Sequence, residues 1–220
     1  MSSFLNFFRP HLTIPHVPWR AQHKWDINAQ RLLILFFGLA IFGLGDAALV
    51  QSHIGNAPWT VLAQGLSKSF GTSIGVMTAI VSCFVLLMWI PLREKPGFGT
   101  LANILIIASF IQIGVTYIPA ATTFLGGILF AFIGVAAVGL GSALYISVGL
   151  GSGPRDGAMT GLHRVSGVRI SRVRFGIEMA VLTLGAVIGG RVGLGTAIFA
   201  LFIGQSIAIS CGILARLTSY

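Results

Sequence analysis

The sequence predicts an all-α integral membrane protein with six transmembrane helices in two inverted three-span repeats, each with a short half-helix after its first span. Three observations lead to this fold class: the hydropathy of the chain, its six apolar stretches and a gapless internal repeat. Hydrophobic residues make up 55% of the 220 residues, charged residues make up 9%, and the mean hydropathy is +0.91. This composition is far from that of a soluble domain and predicts a chain embedded in a bilayer.

Six apolar stretches are long enough to cross the hydrocarbon core, which is about 30 Å thick and takes about 20 helical residues. They are Leu32 to Val50, Ile74 to Leu92, Thr100 to Ile118, Phe124 to Val148, Val173 to Gly189 and Leu194 to Leu214. The connections leave no room for a separate soluble domain. We divide the chain into a cytoplasmic N-terminal arm over 1–30, a first membrane repeat over 31–118 and a second membrane repeat over 119–220.

The basic residues indicate the orientation of the chain. Of the 14 Lys and Arg residues, Lys68 and Arg191 lie on one side of the predicted spans and the others lie on the opposite side. Cytoplasmic loops carry the excess of Lys and Arg, so both termini are predicted in the cytoplasm. Because the basic excess follows the loops, we expect no nucleic-acid partner.

The two halves of the chain superpose without a gap at an offset of 96 residues. Gly55 and Pro58 then match Gly151 and Pro154, and turn glycines further along keep the same register. Turn residues that recur at one fixed spacing indicate duplication. Because three crossings is an odd number, the second copy must enter the membrane from the opposite face, as in many secondary transporters and some channels.

A short segment opened by Gly and Pro follows the first span of each copy. The segments begin at Gly55 to Pro58 and at Gly151 to Pro154, and they extend to about residues 70 and 166. A helix of this length reaches about 20 Å, too short to span. Asn56 and Ser152 are the predicted N-caps, and each proline suits a first helical turn.

Two interpretations of these segments remain open. They are either re-entrant half-helices whose N-termini face a solute near the membrane midplane, or interfacial connectors that lie flat on opposite faces. The polar residues cluster at the helix starts rather than along one solvated edge, which favours the re-entrant interpretation.

Charged residues within the predicted spans are candidates for coupling or gating, because a carboxylate at the bilayer centre costs about 2.5 to 3.5 kcal/mol. Glu178 can form an ion pair with Arg174, four residues earlier on the same helical face. Asp46 has no partner within its own span, and His53, about two turns later, is its candidate neighbour. Its depth and isolation motivate the hypothesis that Asp46 is protonatable.

The predicted solute site lies where the two half-helices begin. Arg155 and Asp156 combine a side-chain cation with backbone donors, which suits the binding of an anionic group. The residues predicted to bind the solute are Asn56, Pro58, Trp59, Thr60, Ser152, Pro154, Arg155 and Asp156. A solvated basic loop accounts for the later arginines, and His163 fits an interfacial position.

No catalytic or metal site is readable in the sequence. It has no Ser/His/Asp set, no metal-ligand cluster and no phosphate-binding loop, and Cys83 and Cys211 each stand alone in an apolar span. We therefore expect no enzyme, no cofactor and no metal, and a driving force that comes from gradients or from a separate protein.

Three motifs relate the chain to a known family. The sequence reads Leu-Gly-Ser-Gly-Pro-Arg-Asp-Gly-Ala-Met-Thr-Gly-Leu over 150–162, then has Val173-Arg174 to Ile177-Glu178 and Gly-Leu-Gly-Thr over 193–196. With these motifs it resembles the YczE/YyaS/YitT-like family of bacterial membrane proteins over about residues 30–205. The resemblance implies a bacterial cytoplasmic-membrane protein and brings no established substrate. The usual Pro-Trp-Asp of the family is Pro-Trp-Thr60 here, and its Ile-Gly-Pro ends in Gln205.

The predicted function is a small secondary transporter or facilitator for a polar small solute, anionic or zwitterionic, in the bacterial inner membrane. The alternatives are an aquaporin-like channel, or an accessory membrane subunit without transport activity of its own. The expected partners are the lipid bilayer and the solute. Whether the chain forms a homo-oligomer is left open by the sequence.

Overall fold

The computed structural model describes residue 15 and residues 17–218, and within this part of the chain every regular element is a helix. The helices are α1 (Ala29–Gln51), α2 (Pro58–Phe70), α3 (Ile74–Leu87), α4 (Trp89–Leu92), α5 (Phe98–Tyr117), α6 (Phe124–Val148), α7 (Pro154–Ser166), α8 (Ile170–Val187) and α9 (Leu194–Thr218). Half of the predicted N-terminal arm, residues 1–14 and 16, lies outside the described residues.

Among the described residues, five helical stretches are long and apolar enough to cross a membrane. They are α1, the continuous stretch Ile74–Leu92 formed by α3 and α4, α5, α6 and α9. The remaining predicted crossing corresponds to α8, whose 18 residues include Arg172, Arg174 and Glu178. These charges separate α8 from the five apolar stretches. The chain is thus a multi-pass membrane protein with one long helix of mixed polarity.

The predicted ends of the two short helices are confirmed, but their predicted N-caps are wrong. Both helices have 13 residues, begin with proline in the first turn and end at a glycine in the left-handed conformation, with φ of 64° and 69°. The N-cap positions are Ala57 and Gly153, and neither helix has a side-chain cap. Proline at the first position lacks an N–H, and the amide of Asn56 instead binds a side chain within α2.

Helix α1 lies at the centre of the fold, between α5 and α6, and α6 packs in turn on α9. The approach of α1 to α6 depends on paired glycines. A Cβ atom on Gly45 would lie 2.8 Å from the carbonyl oxygen of Gly134. Small residues at such crossings let helices pack closely in lipid, where the hydrophobic effect gives little drive for association.

Each short helix packs on its own half of the chain and also on the opposite half. Helix α2 lies on α8, where a Cβ atom on Gly185 would lie 2.5 Å from the backbone nitrogen of Leu62. Helix α7 lies on α3 and α4, where the indole Nε1 of Trp89 donates to the carbonyl of Pro154 at 2.9 Å. We refer to these contacts between opposite halves, α2 with α8 and α7 with α3 and α4, as the reciprocal packing of α2 and α7.

The spacing of 96 residues found in the sequence recurs in the loop contacts. Two equivalent hydrogen bonds join the start of a long helix to the loop before a short one, Gly99 N to Leu150 O and Gly195 N to Ile54 O, both at 2.9 Å. The next residues, Gly55 and Gly151, have φ of 127° and 123°, in the region that favours glycine. The duplicated glycines therefore make the same turn in both halves.

The described part of the arm is fastened to one side of the membrane domain. Lys24 Nζ donates to the carbonyl of Lys95 at 2.7 Å, and Arg31 pairs with Asp26 at 2.6 Å. The backbone N–H of Gln22 and the guanidinium of Arg31 hold the pKa of Asp26 below its ordinary value. We call the side that carries these residues the arm side.

Candidate functional site

A cavity of about 260 Å³ lies between the N-termini of α2 and α7, and we call it the central cavity. Helix α2 contributes Pro58 and Trp59, and helix α7 contributes Arg155, Asp156 and Met159. The polar or aromatic remainder of the wall is Phe42, Ser82, Asn103, Ser142, Tyr145, Arg174, Glu178 and Phe199. The two short helices, distant in the sequence, thus begin at one cavity.

Arg155 and Trp59 form the contact between the two helix starts. The guanidinium carbon of Arg155 lies 5.2 Å from the centroid of the Trp59 ring, within the range of a cation–π interaction. The ring holds the cation at the cavity wall without neutralising its charge. Arg155 therefore remains able to bind a ligand anion.

Three acidic side chains act electrostatically on Arg155, namely Asp46, Asp156 and Glu178. Asp156 Oδ2 accepts a hydrogen bond from the hydroxyl of Tyr145 at 2.7 Å. The cavity wall therefore carries both signs of charge, with the guanidinium of Arg155 and the carboxyl groups of Asp156 and Glu178.

Asp46 is buried beside this cluster and is 1% exposed. Its Oδ2 accepts a hydrogen bond from Thr60 Oγ1 at 3.2 Å, and its Oδ1 is buried without a hydrogen-bond partner among the described residues. The predicted neighbour of Asp46 is wrong, because the ring of His53 contacts Arg191 instead. The partner is Thr60, which lies at the start of α2. Residue spacing along α1 could not predict a partner on another helix.

Glu178 and Arg174 form the predicted ion pair, with 2.9 Å between Nε and Oε1. Both side chains line the central cavity and are partly exposed, at 27% and 45%. The pair can therefore open without leaving a fully buried charge behind.

Four of the predicted solute-binding residues do not line the central cavity, namely Asn56, Thr60, Ser152 and Pro154. Asn56 is fully buried and its Nδ2 donates to Gln64 Oε1 at 2.9 Å. The same Oε1 accepts the backbone N–H of Arg191 at 2.7 Å. Through Gln64, Asn56 therefore connects the start of α2 to the loop before α9, and its role in the structure is to stabilise this contact.

A second cavity, of about 290 Å³, lies on the arm side. Arg20 and Lys24 of the arm and Ser152 of the loop before α7 line it. Tyr145 and Asp156 line both this cavity and the central one. The Tyr145–Asp156 hydrogen bond therefore lies at the boundary between them.

The two helix starts differ in exposure. At the start of α2, Asn56 and Thr60 are fully buried, whereas the residues 96 positions later, Ser152 and Asp156, are exposed. The central cavity is therefore closer to solvent at the α7 end than at the α2 end.

Four polar cavity residues were missed by the sequence reasoning: Ser82, Asn103, Ser142 and Tyr145. Ser82 and Ser142 are the counterparts, at the 96-residue offset, of Glu178 and Asp46. That symmetry could have identified them. Among the described residues, no group of three or more His, Cys, Asp or Glu side chains is placed to hold a metal ion.

Comparisons with known proteins add a family and three relatives. The model of a family of unknown function, DUF6198, matches residues 29–211. An uncharacterized protein from Haemophilus influenzae is 40% identical over 204 residues, which cover 93% of this chain and 94% of the relative. The uncharacterized membrane protein YczE from Bacillus subtilis is 30% identical over 90% of this chain and 89% of its own.

A third relative, the uncharacterized protein YyaS from Bacillus subtilis, is 28% identical over 72% of this chain and 81% of its own. These matches confirm the resemblance to YczE and YyaS seen in the sequence motifs. No solved structure matches the chain.

Proposed function

The chain belongs to the DUF6198 family, and from that premise we propose that it is a small secondary transporter or facilitator for a polar solute, anionic or zwitterionic. The observation that carries this proposal is the central cavity between the N-termini of α2 and α7. Helix N-termini present unpaired N–H groups and about half a positive charge each, and transporters use opposed half-helices in this way to hold anionic groups.

The chemistry of the wall supports a solute with a carboxylate or a similar anionic group. Arg155 supplies a cation that Trp59 holds in place, and a guanidinium binds a carboxylate in a bidentate manner. Asp156 and Glu178 can bind the cationic end of a zwitterion. The volume, about 260 Å³, is below the roughly 300 to 1,000 Å³ of pockets for drug-sized ligands, which favours a solute of amino-acid size or smaller.

We further propose that the chain crosses the membrane six times and that its two halves have inverted orientations. Helix α8 is the sixth crossing, since its charges can face the central cavity rather than lipid. Helices α2 and α7 are then re-entrant half-helices. The equivalent loop contacts and the reciprocal packing of α2 and α7 support this arrangement.

We further place the protein in the bacterial inner membrane with its arm side in the cytoplasm. The support is the distribution of Lys and Arg, of which Lys68 and Arg191 alone lie away from the arm side in the sequence. The burial of Asn56 and Thr60 at the far helix start favours a transporter, which closes one side at a time, over an open aquaporin-like channel.

A solute-dependent thermal-shift screen of the purified protein tests this function, because a ligand that binds only the folded state raises its stability by mass action. The panel is amino acids, small mono- and dicarboxylates, and inorganic phosphate. We expect at least one compound to raise the unfolding temperature of the wild-type protein.

Three variants then locate the binding. Arg155→Ala is expected to abolish the shift, whereas Arg172→Ala, which removes an exposed arginine outside the central cavity, is expected to retain it. If Arg155→Ala and Thr60→Val both keep the full shift, the site between the helix starts is wrong. If no compound shifts the wild type, the accessory-subunit alternative gains.

A further inference from the structure

We propose that Asp46 is a proton-binding site whose occupancy is coupled to the solute through Arg155, so that the protein moves an anionic group together with a proton. This inference rests on the proposed transport function. Nothing in the sequence motifs or in the relatives assigns a coupling ion.

The first observation is the state of the Asp46 carboxyl group. It is 1% exposed, and one of its two oxygens, Oδ1, is buried without a hydrogen-bond partner among the described residues. An ionised carboxylate in such surroundings loses the free energy of its hydration, which hydrogen bonds on both oxygens would otherwise replace. A proton on Oδ1 removes the charge at the oxygen that lacks a partner.

The second observation is the set of groups around Asp46. Thr60 of α2 donates to Oδ2, and Arg155 of α7 is the charged group among the described residues that acts on the carboxyl group. Helix α6, which packs on α1, carries Tyr145. The hydroxyl of Tyr145 is engaged with Asp156.

The chemistry favours a proton over a metal cation. A calcium ion takes about six to eight oxygen ligands, whereas Asp46 and Thr60 together offer three side-chain oxygens. The positive N-terminus of α2 and the guanidinium of Arg155 also repel a cation. A proton needs one oxygen and leaves a neutral acid.

The coupling follows from the shared use of Arg155. In the absence of solute, the guanidinium stabilises the ionised form of Asp46. When a solute carboxylate binds Arg155, the charge that favoured the ionised carboxyl group is neutralised, so Asp46 takes up a proton from water. By linkage the effect is reciprocal, and a protonated Asp46 leaves Arg155 free to bind the solute more tightly. One anionic charge and one proton then move together.

Infrared difference spectroscopy of the reconstituted full-length protein tests the proton site without a solute. The C=O stretching band of a protonated carboxyl group, assigned to Asp46 by its loss in Asp46→Asn, is followed against pH in potassium chloride and in sodium chloride. Replacement of Arg155 by alanine mimics its neutralisation by a bound anion. A nearby opposite charge favours the ionised form of a carboxyl group, so we expect the band of Arg155→Ala to persist to a higher pH than that of the wild type.

Two further variants separate the charge effect from a folding defect. Arg155→Lys keeps a cation and is expected to restore most of the wild-type titration, and Arg172→Ala is expected to leave it unchanged. The proposal is overturned if the Asp46 band is absent at every pH, if Arg155→Ala leaves its titration unchanged, or if sodium rather than pH removes it. If the band responds to the Arg155 variants but no compound in the thermal-shift screen binds, the proton site is supported and the transport function is contradicted. If a compound binds at Arg155 but the band does not respond, the transport function is supported and the proton site is contradicted.

Discussion

The guanidinium of Arg155 lies 5.2 Å from the centre of the Trp59 ring, and these two residues occupy equivalent positions in the two halves of the chain. Each is the second residue of its short helix. Their contact brings together two helix starts that belong to opposite halves, and it leaves the cation at the wall of the central cavity. The exchange of tryptophan for arginine at this pair of positions, like that of Ser82 for Glu178, makes the cavity chemically asymmetric.

Replacement of Trp59 by leucine is expected to weaken solute binding. A cation–π interaction is worth about 0.5 to 2 kcal/mol, which corresponds to a factor of about 2 to 30 in affinity. The concentration dependence of the thermal shift measures the change. Trp59→Phe keeps an aromatic face and is expected to retain most of the affinity; equal losses in both variants would mean that ring size, and not the cation–π contact, matters.

Thiol labelling is expected to distinguish the two helix starts. In a chain with Cys83→Ala and Cys211→Ala, a cysteine at Ser152 is expected to react with a membrane-impermeant maleimide added on the arm side. A cysteine at Asn56 is expected to react at least tenfold more slowly from either side, because Asn56 is fully buried and Ser152 is exposed. Equal labelling rates would contradict the burial of the α2 start.

Replacement of Tyr145 by phenylalanine is expected to loosen the boundary between the two cavities. The variant loses the 2.7 Å hydrogen bond to Asp156, and a hydrogen bond to a charged group contributes about 1.5 to 3 kcal/mol. We expect a lower unfolding temperature and faster labelling of a cysteine introduced at Asn103 in the central cavity. Tyr117→Phe is the matched control, since Tyr117 is 80% exposed, and it is expected to change neither measurement.

Exchange of the two charges of the Arg174–Glu178 pair separates its structural from its functional contribution. Exposed pairs four residues apart on a helix contribute about 0.3 to 0.5 kcal/mol in water, so Glu178→Gln is expected to lower stability only slightly. Uptake of the solute by proteoliposomes is expected to fall more, because both side chains line the central cavity. If Arg174→Glu combined with Glu178→Arg restores full uptake, the ion pair alone matters; continued loss means that each charge has its own role.

Replacement of Gly157 by alanine is expected to destabilise the packing of α7. A Cβ atom at this position would overlap the ring of Trp89, and overpacking costs typically 1 to 3 kcal/mol. Gly176→Ala is the matched control, because no heavy atom lies within 4 Å of the added carbon and the residue is also helical. Thermal unfolding in detergent compares the two variants. Gly176→Ala is expected to be neutral or stabilising, because alanine favours a helix more than glycine does, and equal destabilisation of both variants would contradict the overlap with Trp89.

The sequence predicted the short helices because their ends carry local signals. Pro58 and Pro154 mark the first turns, and Gly71 and Gly167 end the helices in a conformation that glycine adopts readily. The predicted N-cap at Asn56 was wrong because the side chain of Asn56 donates a hydrogen bond to Gln64, further along α2. Capping rules describe local competition and do not include such partners.

The wall of the central cavity could be predicted only in part. The long helices are apolar on all sides, so their sequences do not show which face meets protein and which meets lipid. Tyr145 and Asn103 were missed for this reason. The partner of Asp46 could not be found either, because Thr60 lies on another helix and meets it only through the fold.

The reciprocal packing of α2 and α7 has a consequence for biosynthesis. Helix α2 packs on α8, which begins at Ile170, about 100 residues after α2 ends at Phe70. At about 5 to 20 residues per second, a ribosome needs roughly 5 to 20 s to supply that partner. During this interval α2 can pack on α3 but not on α8, so the first half of the chain completes its packing only after most of the second half has been synthesised.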